Sequence, residues 1–353
     1  MCNKYEDFYS GPNRIAIHRI FCSFVECLRT DDFRVLKELC TADCKCDFST
    51  AGSMIGIEEM ENGLKWPGPS MDISKATIWN FVARSRGGAG RQTAYIQCIR
   101  AIDDGISVYP FLYGGQFSNT FVCENGEWKL SDIRFDLCYE YGNNCFVKDK
   151  WTLMDYSILC GHKPSINTEL DNPWLVIPED DEPQTDEEQI FELMFKYAYA
   201  FDNGDFRFLQ TFVTDDFFIN GAKQSKDHCD RIPEPGDFQG HREISDFLRG
   251  KFHKEAKMQH SCRMTAINRE GDRALAYMLR GEEHRLKNRV LNRNNIHSVF
   301  ATAVHLIYAV KTAQGEWKMY KYRIEPYSEM VTVEDNCMLY DEHILTGGAG
   351  WNR

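Results

Sequence analysis

Seven of the ten histidines (228, 241, 253, 260, 284, 297 and 305) fall in one stretch of the second half of this 353-residue chain. The matching stretch of the first half holds only His18. Two of the seven, His260 and His284, stand in or beside β-rich runs, and Asp202 ends a helical stripe. Imidazole titrates near neutral pH, so one histidine can take a proton in one step and return it in the next. A buried carboxylate bonded to the second ring nitrogen fixes the tautomer and supports the imidazolium. Such a set can remove water from a β-hydroxy carbonyl. A base takes the α-proton, an acid protonates the leaving hydroxyl, and Tyr or Arg donors hold the developing enolate. Each residue also has an ordinary alternative: a cap or solvated carboxylate for Asp202, a satisfied core histidine for His260, a solvent-facing hairpin residue for His284. Asp227-His228-Cys229 with His241 and His253 has no zinc-site spacing, so no metal centre is expected. Gly87-Gly88-Ala89-Gly90 reads as a flexible turn and not as a phosphate cradle.

These residues sit on a repeated framework. Ile17, Ile20, Phe21, Phe24, Val25 and Leu28 form the apolar stripe of an amphipathic helix. Ile190, Leu193, Met194, Tyr197, Ala198 and Phe201 repeat it, each 173 positions on. Thr30-Asp31-Asp32-Phe33-Arg34-Val35-Leu36 then reads against Asn203-Gly204-Asp205-Phe206-Arg207-Phe208-Leu209. From Gly56 against Gly240 the offset is 184, so the second copy gains about eleven residues, within the Pro/Gly/Asp-rich stretch Lys223–Asp237, which could form a lid. Both copies close alike, Gly126-Glu127-Trp128-Lys129 against Gly315-Glu316-Trp317-Lys318, with Arg134 against Arg323. A period this long is a domain duplication. The expected domains are residues 14–138 and 185–330, with a connecting segment 139–184 and a tail 331–353. The acidic run Pro178–Pro183 reads as a solvated linker, and Thr185 with Glu188 as a capping box. In the second copy a helix, a short helix and a third helix over Glu243–Phe252 precede strands at His260–Asn268, Arg273–Arg280, Ser298–Lys311 and Trp317–Glu325. Gly271-Asp272 and Gln314-Gly315 read as hairpin turns. Helices first and strands afterwards predict an α+β fold, helices on one face of a curved antiparallel sheet.

Composition sets outer bounds. The chain is 43% hydrophobic and 27% charged, which is globular, and no apolar run approaches the roughly 18 residues of a membrane helix. A net charge of −12 makes nucleic acid a poor partner. No signal peptide is visible at the start, and fourteen scattered cysteines in a chain of this size read as reduced thiols in the cytoplasm.

The order of these motifs resembles the nuclear transport factor 2-like, or SnoaL-like, superfamily: helix, Phe-Asp-x-x-Asp-Phe-x-x-Leu from Phe201, Gly-x-x-x-Ile-x-x-Phe-Leu from Gly240, a His-led strand, Gly-Asp-x-Ala from Gly271 and Gly-x-Trp-Lys from Gly315. The resemblance covers both halves. It implies two cone-shaped domains, each enclosing an apolar pocket, paired within one chain as a pseudo-dimer, with further homo-oligomerisation left open. The second repeat resembles the dehydratase branch, scytalone dehydratase and the bile-acid 7α-dehydratases. That resemblance implies catalytic roles for Asp202, His260 and His284. It also implies substrate contacts from Tyr197 or Tyr199, from Tyr277 seven residues before His284, and from Arg323 in Tyr322-Arg323-Ile324. The implied activity is a cofactor-free dehydratase or related isomerase acting on an apolar cyclic, polyketide- or steroid-like substrate. An epoxide hydrolase would want an Asp-Arg-Asp set, of which Arg280 with Glu282 is a faint echo. A non-catalytic binding or scaffolding protein is the alternative from another class. In the first repeat Arg29 stands opposite Asp202, Ile102 opposite His284, and Asp72 near His260, so that repeat is expected to be structural.

Overall fold

A computed structural model describes residues 10–147, 164–221, 238–240, 243–244, 259–281 and 298–334. The described chain divides between Gln184 and Thr185 into two compact units. The first begins with α1 (Pro12–Thr30) and α2 (Leu36–Leu39), then β1 (Cys40–Phe48), β2 (Gly52–Ile55) and α3 (Ile57–Gly63). Four long strands follow: β3 (Ile73–Arg86), β4 (Ala89–Asp103), β5 (Val108–Glu124) and β6 (Glu127–Gly142). After α4 (Pro173–Val176) the second unit repeats the series. It has α5 (Asp186–Asp202), α6 (Phe206–Phe212), β7 (Val213–Gly221), β8 (Phe238–Gln239), β9 (Ser261–Glu270), β10 (Arg273–Gly281), β11 (Ser298–Lys311) and β12 (Trp317–Glu334). Residues 223–237, and all but Glu243 and Ile244 of the helix expected at 243–252, lie outside the described residues.

The two six-stranded sheets have the same order, β2-β1-β6-β5-β4-β3 and β8-β7-β12-β11-β10-β9. The α+β class and the duplication hold, but the sheets are mixed, not antiparallel. β1 pairs with β6, and β7 with β12, in parallel. Alternation of residue types marks a strand without marking its direction, and a parallel partner is reached only through a long crossover. Between β9 and β10 the two-residue connection Gly271-Asp272 places Gly271 at φ +56°, which suits a residue without Cβ. β12 runs on to Glu334, past the domain end expected at 330.

Both first helices lay their apolar stripes on their sheets. Ile17, Phe21, Phe24 and Val25 are buried in α1, and Ile190, Leu193, Met194, Tyr197 and Ala198 in α5. α5 starts on the predicted capping box: Thr185 Oγ accepts from the Glu188 amide, and the Glu188 carboxylate accepts from the Thr185 amide. The inner face of the first sheet closes over phenylalanines. Phe117 stands 5.3 Å from Phe21, 6.1 Å from Phe24, 5.7 Å from Phe48 and 4.7 Å from Phe135, ring centre to ring centre.

The acidic run before the second unit is exposed at Pro178, Glu179, Asp181 and Pro183, yet it is also anchored to the first unit. Arg84 donates to the carbonyls of Ile177 (2.6 Å) and Pro178 (2.9 Å), and Arg86 pairs with Glu179. Fully buried Arg14 pairs with Asp180. α1 opens on Gly11, which has no side chain to cap with. Glu182 fills that role from 169 residues away, accepting from the Asn13 amide at 2.6 Å and the Arg14 amide at 3.3 Å. The carboxylates are thus spent on arginines and on a helix N-terminus, where negative charge is favoured. Cys22 is disulfide-bonded, against the expectation of reduced thiols throughout, while nine other described cysteines are free. Among the described residues no helix is long and apolar enough to cross a membrane.

Two expected outcomes follow. Glu182→Ala should lower the stability of the first unit by about 0.5–2 kcal/mol, the range for a lost N-cap, read as a shift of the urea midpoint. Phe117→Ala should cost about 3–5 kcal/mol by the same measurement, since it empties the centre of a closed aromatic core.

Candidate functional site

Asp202 is the last residue of α5, and His260 immediately precedes β9. The Asp202 and His260 side chains are 2% and 5% exposed. Asp202 Oδ2 accepts the His260 backbone N–H at 2.8 Å, and Oδ1 accepts from His260 Nδ1. A carboxylate can only accept, so this contact places the ring proton on Nδ1 and makes Nε2 the basic nitrogen. The Phe201 ring meets the His260 ring edge-on at 4.8 Å.

The sheet register decides which other side chains share this face. Cys262 pairs with Arg280, Met278 with His305, and Ile307 with Tyr322. Directly paired residues of an antiparallel ladder share a face, as do residues two apart along a strand. Cys262, Arg280, His305 and Tyr322 therefore stand on one face. α5 crosses the same face, with the Tyr197 ring 4.6 Å from Tyr322 and 5.4 Å from Phe201. His305 is fully buried and its Nδ1 is hydrogen-bonded to the Tyr322 hydroxyl. The ring sequence His260, Phe201, Tyr197, Tyr322, His305 is continuous.

The charges of this cluster follow from its burial. Burial holds the His305 imidazole well below its ordinary pKa, and the neighbouring charges of Arg280 and His260 push it the same way. Burial likewise lifts the phenols of Tyr197 and Tyr322 above the usual tyrosine range, against the pull of Arg280. At neutral pH the cluster therefore presents two intact phenols and a neutral imidazole beside one guanidinium.

The other expected site residues fall elsewhere. Tyr199 is buried against α6, its ring 6.1 Å from Phe208, so of the two helix tyrosines it is Tyr197 that meets the sheet cluster. Tyr277 pairs with Leu306, and Leu306 with Arg323. That register puts Tyr277 and Arg323 on the opposite face of the sheet from His305 and Tyr322. A difference of one residue along a strand exchanges the two faces, so register separates these two from the cluster around His305. His284 lies outside the described residues. Among the described residues no group of three His, Cys, Asp or Glu side chains is placed to hold a metal. His305, Tyr322 and Arg280 were not expected as site residues. Their sequence signal is thin: a single His within the β-rich run Ser298–Lys311, and a Tyr next to Arg323 in Tyr322-Arg323-Ile324.

The first unit is an internal comparison. Asp72 precedes β3 as His260 precedes β9; it is exposed and accepts from the Asp103 amide. Arg29, opposite Asp202, pairs with Glu26 and donates to the Ser74 carbonyl at 3.2 Å. Ser118–Arg134 pairs as Leu306–Arg323 does, which sets Phe117 against His305 and Ile133 against Tyr322. Phe24 stands opposite Tyr197 by the helical offset. Tyr197, His305 and Tyr322 thus have apolar counterparts in Phe24, Phe117 and Ile133, and phenylalanine packs around Phe117.

Comparison with known proteins bears on the family. No curated protein matches the chain. Solved structures similar to it include a protein from Kribbella flavida, at 15% identity over 38% of this chain and 96% of that one, with a TM-score of 0.34. A provisionally named scytalone dehydratase from Novosphingobium aromaticivorans is 15% identical over 36% of this chain and 86% of its own, TM-score 0.33. A hexachlorocyclohexane dehydrochlorinase is 16% identical over 37% and 88%, TM-score 0.33. Residues 183–323 match the family model of the SnoaL-like domain. The match to the SnoaL-like domain model thus spans most of the second unit, and the first unit repeats the order of its sheet strand for strand.

Proposed function

We propose that the second unit is a carbon–oxygen lyase, or a related isomerase, that works without a cofactor on an apolar cyclic hydroxy-carbonyl compound. The observation that carries this reading is the shielded Asp202–His260 pair at the meeting of α5 and β9. His260 Nε2 takes the proton α to the carbonyl, and the electron pair moves onto the carbonyl oxygen to give an enolate. The imidazolium is stabilised by Asp202. The enolate re-forms the carbonyl and a carbon–carbon double bond grows as the β-hydroxyl leaves. His260 returns its proton to that hydroxyl, so one C–H and one C–O bond are exchanged for a C=C bond and water. If the proton returns to carbon instead, the same two steps make an isomerase. Tyr197 supports the reading as a neutral phenol donor on the same face, and Phe201 supplies an apolar wall. The first unit, with Arg29, Asp72 and Phe117 in the corresponding places, is read as structural.

The test uses a β-hydroxytetralone as probe, whose dehydration yields fluorescent α-naphthol. The wild-type chain should release naphthol. Asp202→Asn and His260→Ala should each lower turnover by about 10²–10⁴-fold with the fold intact by circular dichroism. Asp72→Asn should leave turnover within twofold. Equal losses from Asp72→Asn and Asp202→Asn would overturn the assignment to the second unit, and full activity in His260→Ala would overturn the mechanism.

A further inference from the structure

His305 has one ring nitrogen engaged and one unused. Nδ1 is hydrogen-bonded to the Tyr322 hydroxyl, whereas Nε2, in a residue with no exposed surface, has no hydrogen-bond partner among the described residues. A buried ring nitrogen without a partner costs a few kcal/mol relative to its solvated state, so its persistence needs an explanation. The fold does not require a polar group at this point, because the corresponding position of the first unit is Phe117, packed by phenylalanine on all sides. Nor is the histidine held by a carboxylate, as His260 is. Its partner is a phenol, and the groups acting on it electrostatically, Arg280 and His260, both oppose a positive charge.

We propose that His305 is a substrate-contacting residue of the second unit, a neutral imidazole whose Nε2–H donates to the carbonyl oxygen of the bound compound, in the tautomer fixed by Tyr322. The inference rests on the reading of this face as a lyase or isomerase site and adds the group that receives the negative charge. With the Tyr322 hydroxyl donating to Nδ1, the only ring proton lies on Nε2. An imidazole that stays neutral polarises a carbonyl without giving up its proton, and the developing enolate oxygen binds it more strongly than the ground-state carbonyl does. Tyr322 is then a positioning residue.

The test is binding and needs no turnover, so it separates this inference from the lyase reading. α-Naphthol, a planar fused ring with one enol-like hydroxyl, is titrated into the full chain and followed by its own fluorescence. The wild-type chain should bind it. His305→Phe, which restores the residue type of the first unit, should weaken binding about tenfold or more, the loss of one buried hydrogen bond. His305→Gln, whose side-chain amide offers an N–H, should stay within about threefold of wild type. Wild-type affinity in His305→Phe, or no binding by the wild-type chain, overturns the proposal even if β-hydroxytetralone is dehydrated. Should His305→Phe fail to fold, ¹⁵N-histidine spectra of the wild-type chain decide, with the His305 signal identified by its loss in His305→Gln. A proton on Nε2 and a signal displaced by α-naphthol support the proposal, and a proton on Nδ1 or an unmoved signal overturns it.

Discussion

A carboxylate that is almost entirely shielded from water must be paired, and the pairing of Asp202 organises the second unit. Desolvating a lone carboxylate costs several kcal/mol, and two hydrogen bonds from one neighbouring residue offset it. Both come from His260, one from its backbone and one from its ring. The end of α5 is thereby tied to the point where the chain enters β9. Once that point is set, the hairpin at Gly271 and the ladders β9–β10–β11–β12 carry the register across the sheet. A strand slip of one residue would turn every one of these side chains to the other face. The place of His305 and Tyr322 beside Tyr197 is therefore a consequence of a contact made at the head of β9.

The first unit shows what the same scaffold does without that constraint. Its strand order is identical, and its centre is filled with phenylalanine, which buries apolar area without leaving a polar atom to satisfy. The second unit places two phenols, two imidazoles and a guanidinium on the corresponding face, with one ring nitrogen left over. Such a departure from the core that the fold would otherwise choose is expected where side chains are kept for a ligand. The polar cluster is thus the feature of the second unit that packing alone does not account for.

Much of this was legible in the sequence. The 173-residue offset, the capping box at Thr185, the hairpin at Gly271-Asp272 and the strand limits Ser298–Lys311 are local signals, and local hydrogen bonding and periodicity decide them. The resemblance to the dehydratase branch singled out Asp202 and His260, and the structure brings the two together. What was missed depends on tertiary register. The resemblance assigns Arg323 of Tyr322-Arg323-Ile324 to the substrate, but strand parity is fixed by pairing with β11, which a motif does not report. His305 is hidden because one polar residue in an apolar strand looks like an exception and not like a site. The acidic run Pro178–Pro183 looks solvated because its partners, Arg14, Arg84 and Arg86, lie more than 90 residues away.

The two histidines of the cluster cannot do the same work. Each would charge in the presence of Arg280 and of the other, and His305 already feels both as opposing its protonation. Only one has a carboxylate to neutralise the charge it would gain. The imidazole backed by Tyr322 stays neutral, because a phenol stabilises the charged ring far less than a carboxylate does. In the proposed mechanism the proton therefore rests on the histidine that a carboxylate backs, and the neutral histidine acts as a fixed dipole toward the substrate oxygen.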